Sequence, residues 1–312
     1  MCPIEIHRFL DSLDLDAEIA YDEPMSARTS LRIGGPADVI VSPRSADAAI
    51  KLARSARAEG IAVTFIGAGA NVLVGDRGIR GVVLDTSGLN KVRLGEDGSL
   101  IAGAGCAIDS LCLEACCRAL AGLEDFAGMP GSVGGAAYMN ARCYEREMSE
   151  VLARVAYLPA AGREASTIYV TLDGDWSYKR SPFQGGGQAA GGLILEAAFR
   201  LRPGDPASIA RAMRARVADR EAKGHYRLPS AGSVFKNDRR LGKPTGMILD
   251  SLGFRGRRLG GALVAPWHAN IFVNAGNATA ADFLGLIELA RSEARERLGV
   301  ELEPEVLAIG EF

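Results

Sequence analysis

The spacing of apolar residues in the first half of the chain alternates between short strand-like runs and helical patterns. Apolar runs of four to eight residues are typical of buried strands, and apolar positions three or four apart are typical of helices. The predicted elements are strands at 61–66, 81–85 and 99–105, a helix that Ser45 caps, running to about Glu59 before Gly60, and a helix that Asp109 caps, ending near Gly122.

The second half of the chain continues with both kinds of pattern. It contains predicted strands at 150–158, 193–201 and 270–275, a linker at 202–208, and helices at about 207–222 and 245–252. The final helix is the best defined, because Thr279 and Asp282 form a capping box and Gly299 ends it. Its predicted buried face is Phe283, Ile287, Ala290, Ala294 and Leu298. This order of elements predicts a mixed α+β fold.

Composition narrows the possible functions. The 312 residues carry a net charge of −2, which does not favour a nucleic-acid partner. The first residues show no export signal and no apolar run is long enough to span a membrane, so we expect a cytoplasmic protein with reduced cysteines. Cys112, Cys116 and Cys117 have no second ligand pair nearby, so we expect structural thiols and no metal site.

Glycine is the most over-represented residue, with 38 copies that cluster in three loops. These loops are 67–71 ("GAGAN"), 102–105 ("AGAG") and 127–141 ("AGMPGSVGGAAYMNA"). Either the bare backbone packs tightly under a neighbouring strand, or a ligand lies against it. The first loop follows a strand but lacks the G-x-G-x-x-G spacing of a Rossmann site. Three uncharged loops in one half of the chain favour an elongated cofactor with a phosphate centre and a flat ring.

Polar residues inside apolar segments of the second half are candidates for chemistry. Ser233 lies between small residues, with Lys236 and Asn237 shortly after it, although a turn or helix cap is the simpler interpretation. No histidine is close in sequence, so a Ser–His nucleophile is not supported. Glu303 and Glu305 lie in a strand-like run near the C-terminus, where both side chains facing solvent is the simpler alternative.

Two adjacent cations, Lys179 and Arg180, lie in "WSYKRSPF" (176–183). In a strand their side chains point to opposite faces. A solvated pair is the simpler alternative.

Together these segments resemble the UDP-N-acetylenolpyruvoylglucosamine reductase family, from about Thr29 to Gly310. The resemblance depends on six segments in the right order: 29–43, 67–84, 127–141, 229–237, 268–282 and 299–310. It implies a two-subdomain FAD-binding fold of the vanillyl-alcohol-oxidase type plus a C-terminal α+β substrate-binding domain. The implied domains are residues 1–85, 86–203 and 204–312.

The same resemblance implies an enzyme of peptidoglycan synthesis with noncovalent FAD. NADPH reduces the flavin, hydride passes from N5 to C3 of the enolpyruvyl group, and Ser233 protonates C2. Glu305, if protonated, donates a hydrogen bond to the enolate oxygen, Lys179 or alternatively Arg180 supplies a cation, and Asn237 and Tyr178 contact the substrate. The implied FAD-binding residues are Gly67, Ala68, Gly69, Ala70, Asn71, Gly131, Ser132, Gly134 and Gly135.

The chain departs from the family's pattern at three places. Lys179 stands where the family usually has arginine, and a lysine cannot form a two-pronged bond to a carboxylate. Ala70 stands where serine is common, and "NARCYERE" (140–147) replaces a glycine-rich continuation. The stretch between Ser181 and Ser233 is short, as in the branch that lacks an inserted tyrosine loop, so another element has to close over the substrate.

Two other functions stay open at this point. One is a flavin oxidase or dehydrogenase of another small alcohol, in which FAD is often covalently bound through histidine or cysteine. The other is an inactive nucleotide-sugar-binding relative, which the lysine substitution alone supports. For the reductase we expect a small-molecule substrate, no membrane partner and a monomer.

Overall fold

The structure is a computed structural model that describes residues 3–160, 167–170 and 176–312. Its residues cluster into two compact units. The first unit comprises Met1–Ala20, Val39–Ala68 and Gly81–Asp219, and the second comprises Tyr21–Asp38, Gly69–Arg80 and Arg220–Phe312. The chain therefore passes between the units several times, and the domain boundaries predicted from sequence stay a prediction.

The described residues form seven α-helices and nineteen short strands. The helices are α1 (Pro3–Asp11), α2 (Ala46–Ala58), α3 (Ile108–Cys117), α4 (Val133–Met139), α5 (Pro206–Ala222), α6 (Thr245–Ser251) and α7 (Ala280–Leu298). The strands are β1 (Ala17–Tyr21), β2 (Ala37–Pro43), β3 (Val63–Ile66), β4 (Val72–Val74), β5 (Ile79–Asp85), β6 (Val92–Leu94), β7 (Leu100–Gly103), β8 (Leu120–Ala121), β9 (Arg142–Cys143), β10 (Arg146–Glu147), β11 (Leu152–Leu158), β12 (Thr167–Val170), β13 (Leu193–Phe199), β14 (Arg202–Pro203), β15 (Ser230–Ser233), β16 (Arg258–Leu259), β17 (Ala262–Val264), β18 (Ile271–Asn274) and β19 (Leu307–Ile309).

Among the described residues, the first unit contains two larger sheets and two two-stranded sheets, β10-β9 and β14-β8. One larger sheet has the order β1-β2-β5-β3, with β3 and β5 parallel. The other has the order β12-β11-β13-β7-β6 and its neighbouring strands are antiparallel. Helix α2 covers the first sheet, because its buried Leu52 and Ala56 lie in one apolar cluster with Val39 and Val82. As predicted, the Ser45 hydroxyl caps this helix by accepting the N–H of Ala48 at 3.2 Å.

The start of helix α3 differs from the prediction. Its N-terminal cap is Ala107, whose side chain makes no capping bond, and Asp109 lies inside the first turn. The Asp109 carboxylate instead accepts the N–H of Gly128 at 2.6 Å, so it ties the glycine-rich segment 127–141 to the helix. The helix also ends earlier than expected, at Cys117, because Ala119 adopts a left-handed conformation with φ of 57°.

The second unit contains the sheet β15-β18-β17-β16 and the parallel pair β4 and β19. Its core includes Phe235, Phe272 and Phe283. The centre of the Phe272 ring lies 6.1 Å from that of Phe235 and 5.9 Å from that of Phe283. The capping box of helix α7 and its left-handed Gly299 are confirmed. The predicted buried face of α7 is wrong at Leu298, which is 48% exposed in the last turn.

Candidate functional site

The loop after β3 presents three consecutive backbone donors. Within the described chain, the N–H groups of Gly69, Ala70 and Asn71 have no protein acceptor, whereas the carbonyls of Gly69 and Asn71 accept the N–H groups of Ser30 and Leu307. Gly69 has φ of 61°, the left-handed conformation that turns successive N–H groups to one side. Such a run of free donors suits a phosphate group.

The segment 127–141 turns out to be a short helix as well as a loop. Ser132 caps helix α4, and its hydroxyl accepts the N–H of Gly135 at 3.3 Å. Gly134 donates its N–H to the carbonyl of Ala104 at 2.7 Å, so the first turn of the helix lies against the backbone before α3. Gly131, just before the cap, has φ of 144°.

At most of the glycines in the predicted site, protein atoms occupy the space where a side chain would lie. A Cβ atom at Gly67 would come within 2.2 Å of the Ser132 hydroxyl, one at Gly69 within 2.2 Å of the Arg28 carbonyl, and one at Gly134 within 2.9 Å of Ala104 Cβ. Packing against protein atoms therefore explains why these three positions are glycine, and their role in binding FAD stays a prediction. Gly135 differs, because it is exposed and has only Ser132 Oγ nearby, at 3.4 Å.

The third glycine-rich loop, 102–105, follows the same logic. A Cβ at Gly103 would meet the Leu89 carbonyl at 2.1 Å, and one at Gly105 would meet the Thr86 carbonyl at 1.8 Å. Close backbone packing therefore accounts for both glycines.

The two adjacent cations lie in a tight turn and not in a strand. Ser177 and Arg180 exchange two backbone hydrogen bonds of 3.2 and 2.9 Å around Tyr178 and Lys179. Lys179 has φ of 56°, and its side chain is half-buried whereas that of Arg180 is exposed. Of the two candidate cations, Lys179 is therefore the more buried.

The end of helix α4 holds this turn in place. Asn140, fully buried and left-handed, donates its side-chain amide to the carbonyl of Ser177 at 2.9 Å. The Ser181 hydroxyl and the Gln184 amide both donate to the carbonyl of Tyr138, at 2.6 and 2.8 Å. Helix α4, whose first turn contains Gly134 and Gly135, thus ends against the segment that carries Lys179.

In the second unit, Ser233 and Asn237 line one cavity of about 210 Å³. Ser233 ends strand β15, opposite Ile271 on β18, and is half-buried. Asn237 is exposed and its side-chain oxygen accepts the N–H of Thr245 at 2.8 Å, which fixes the start of helix α6 beside the cavity. The two residues predicted to act on the substrate are therefore brought together.

Glu305 lies next to the strand end that carries Ser233. Its N–H donates to the carbonyl of Val234 at 2.7 Å, and Lys236 donates its N–H to the carbonyl of Glu303 at 2.9 Å. Glu305 is half-buried, whereas Glu303 is exposed and forms an ion pair with Lys236 at 2.6 Å. Glu305 is thus the less exposed of the two glutamates, and its role as the acid stays a prediction.

Sequence reasoning missed His268, which lines the same cavity as Ser233. Its Nδ1 accepts the N–H of Asn270 at 3.1 Å. Burial lowers the pKa of the imidazole, and the nearby charges of Arg255 and Lys223 lower it further. A signal was present in the sequence, since His268 lies shortly before the buried strand β18, which begins at Ile271 and pairs with Ser233.

A family model described as "FAD binding domain" matches residues 37–166, which include both glycine-rich segments of the predicted cofactor site. A second family model, described as "UDP-N-acetylenolpyruvoylglucosamine reductase, C-terminal domain", matches residues 224–309, which include Ser233 and Glu305. Among the described residues no helix is long and apolar enough to cross a membrane, and no group of His, Cys, Asp and Glu could hold a metal.

Several known proteins are similar to this chain over most of their length. UDP-N-acetylenolpyruvoylglucosamine reductases of Treponema pallidum and Treponema denticola are 40% and 39% identical, over 92% and 95% of both chains. The crystal structure of the enzyme from Thermus caldophilus matches with a TM-score of 0.74 and 29% identity, covering 94% of this chain and 98% of that one.

These matches confirm the predicted fold class, a two-subdomain FAD-binding fold with a C-terminal α+β domain, and they confirm FAD as the cofactor. The chain belongs to the UDP-N-acetylenolpyruvoylglucosamine reductase family, and it is a flavin-dependent oxidoreductase.

Proposed function

We propose that this protein reduces UDP-N-acetylenolpyruvoylglucosamine to UDP-N-acetylmuramate with NADPH, as a step of peptidoglycan synthesis. The observation that carries the proposal is the cavity shared by Ser233 and Asn237, beside which the backbone of Glu305 is hydrogen-bonded to Val234. The proposed proton donor, polar anchor and acid lie on neighbouring segments of one unit, which supports the proposal.

The residues present fit FAD. The free N–H groups of Gly69, Ala70 and Asn71 would hold its diphosphate, with Gly67 and Ala68 completing the loop. Gly131, Ser132 and Gly134 shape the start of helix α4, and exposed Gly135 leaves its surface open to the cofactor. Bound noncovalently, FAD would supply hydride chemistry, taking hydride from NADPH at N5 and delivering it to C3 of the enolpyruvyl group.

The protein's own task is to complete the reduction with a proton. When C3 gains hydride, the electron pair of the C2–C3 double bond becomes an enolate that extends into the carboxylate. Ser233 donates its hydroxyl proton to C2, and the proton that solvent returns to the serine closes the balance. A serine hydroxyl is a weak acid, so the charge of the enolate has to be stabilised at the same time.

Two further groups provide that stabilisation. Glu305, if protonated, donates a hydrogen bond to the enolate oxygen, and the Lys179 ammonium offsets its negative charge. The half-buried position of Lys179 supports it over the exposed Arg180. Asn237 and Tyr178 contact the nucleotide sugar, and the protein works on this small molecule as a cytoplasmic monomer.

An anaerobic assay of purified FAD-loaded protein tests the proposal. Mixed with NADPH and enolpyruvyl-UDP-N-acetylglucosamine, the protein should consume NADPH and form UDP-N-acetylmuramate in equal amounts. No NADPH loss despite bound FAD would defeat the proposal and favour an inactive nucleotide-sugar-binding protein. Flavin that stays attached after denaturation would favour an oxidase with covalent cofactor.

A further inference from the structure

Arg142 lies directly beside the predicted substrate residue Tyr178. It begins strand β9, two residues after helix α4 is capped by Asn140. Its guanidinium carbon lies 5.5 Å from the centre of the Tyr178 ring, within the range of a cation–π contact. Only 16% of the Arg142 side chain is exposed, so the charged group is held against the protein and not extended into solvent.

A single buried amide fixes the two segments that carry Arg142 and Tyr178. Asn140 donates its side-chain amide both to the Ser177 carbonyl and to the Glu147 carboxylate, each at 2.9 Å, and its oxygen accepts the N–H of Ser149 at 3.0 Å. Glu147 is the cross-strand partner of Arg142 in the β9–β10 hairpin. These hydrogen bonds of Asn140 therefore fix the position of Arg142 next to the turn that contains Lys179.

Most hydrogen-bond donors of Arg142 are unused. A guanidinium has five N–H donors, and in the described chain Arg142 makes one hydrogen bond, to the carboxylate of Glu145. Glu145 is 86% exposed, so water competes strongly for this ion pair. By contrast Arg216, near the same hairpin, forms two bonds to Asp125 and stacks on Tyr144. Within the described chain, Arg142 is thus a mostly buried cation that uses only part of its guanidinium, for one exposed carboxylate.

We propose that Arg142 is a catalytic residue that binds the carboxylate of the enolpyruvyl group. The proposal rests on the proposed function, whose substrate carries this carboxylate and whose enolate extends into it. Lys179, half-buried in the neighbouring turn, offers a point charge, whereas the planar fork of Arg142 can hold two carboxylate oxygens at once. The two cations divide the work: Arg142 orients the carboxylate and Lys179 offsets charge.

Binding measurements on the FAD-loaded protein test this division. UDP-N-acetylmuramate carries the carboxylate, and UDP-N-acetylglucosamine lacks it. Titration calorimetry should show that Arg142→Met weakens binding of the muramate about 10–100-fold, as expected for a lost charge-assisted pair, while binding of UDP-N-acetylglucosamine changes by less than about threefold. Arg142→Lys should fall between wild type and Arg142→Met. Arg146→Met, in the same hairpin but paired with Asp125 and Glu150, should bind both ligands like wild type.

The outcomes are distinct. An equal loss for both ligands, or no loss for the muramate, would overturn the role of Arg142. Wild-type protein that binds neither ligand would instead defeat the proposed function. If Arg142→Met does not fold, Glu145→Gln decides the matter: removal of the competing carboxylate should tighten muramate binding about threefold, and unchanged or weaker binding would contradict the proposal.

Discussion

The side-chain amide of Asn71 donates a hydrogen bond to the backbone carbonyl of Glu305 at 3.0 Å, joining residues that are 234 positions apart. The carbonyl of Asn71 accepts the N–H of Leu307 at 3.0 Å, so one residue holds the chain on both sides of Val306. Asn71 is also the last of the three free N–H donors in the predicted phosphate loop. The loop that would receive the cofactor thus also positions the predicted acid.

Replacing Asn71 by aspartate should slow turnover by acting on Glu305. Aspartate keeps the shape of asparagine, but its side chain has no N–H to donate. We therefore expect the activation free energy to rise by about 1–2 kcal/mol, which lowers kcat about tenfold. The same substitution made in a Glu305→Gln background should have little further effect, because the group that it positions is already gone. An undiminished effect in that background would show that Asn71 acts elsewhere.

A second prediction concerns Gly69, whose left-handed backbone and close contact with the Arg28 carbonyl exclude a side chain. Gly69→Ala should lower the free energy of unfolding by about 3 kcal/mol, combining the left-handed penalty with the displaced backbone. It should also weaken FAD binding, because the N–H donors of the loop move. Denaturant unfolding and flavin fluorescence measure the two effects, and a variant as stable as wild type would contradict the packing argument.

Gly135→Ala provides the matched comparison. A methyl group there meets only Ser132 Oγ at 3.4 Å, and the position is helical and exposed. We expect wild-type stability within about 1 kcal/mol but weaker FAD binding, because the methyl group occupies the surface left open for the cofactor. Unchanged FAD affinity would remove Gly135 from the predicted cofactor site.

The pH dependence of stability should report His268. Burial lowers its pKa in the folded protein below the ordinary 6.5, so below that pH the unfolded chain binds a proton that the folded chain does not. Stability should therefore rise with pH between the lowered value and 6.5. His268→Gln should reduce this slope, as measured by urea unfolding at about pH 5 and about pH 8. An identical slope in the variant would show that the imidazole is not the titrating group.

The parts of the fold that were predicted correctly depend mostly on residues that are close together in the sequence. Ser45 before α2, and the Thr279–Asp282 box with Gly299 around α7, were correct because a cap depends only on residues within one helical turn. Asp109 failed as a cap because a distant N–H, that of Gly128, uses its carboxylate. The turn at Lys179 was missed because no glycine, proline or asparagine marks its left-handed position.

The candidate site shows the same limit more sharply. A glycine in the sequence does not reveal which atoms face its missing side chain, and for Gly67, Gly69 and Gly134 these atoms belong to the protein. His268 lies near Ser233 only because of strand pairing. Arg142 lies near Tyr178 only because the buried Asn140 contacts the segment that carries Tyr178. Their chemistry could be recognised from residue type, but their neighbours could not.

The most direct test of the central claim is a single turnover with Ser233→Ala. The FAD-loaded variant, reduced by one equivalent of NADPH without oxygen, is mixed with enolpyruvyl-UDP-N-acetylglucosamine, and the return of oxidised-flavin absorbance is followed. Wild-type protein should reoxidise rapidly with formation of UDP-N-acetylmuramate, and Ser233→Ala about 10²–10⁴-fold more slowly, with reduction by NADPH unchanged. Equal rates of product formation in the two proteins would contradict the assignment of Ser233 as the proton donor.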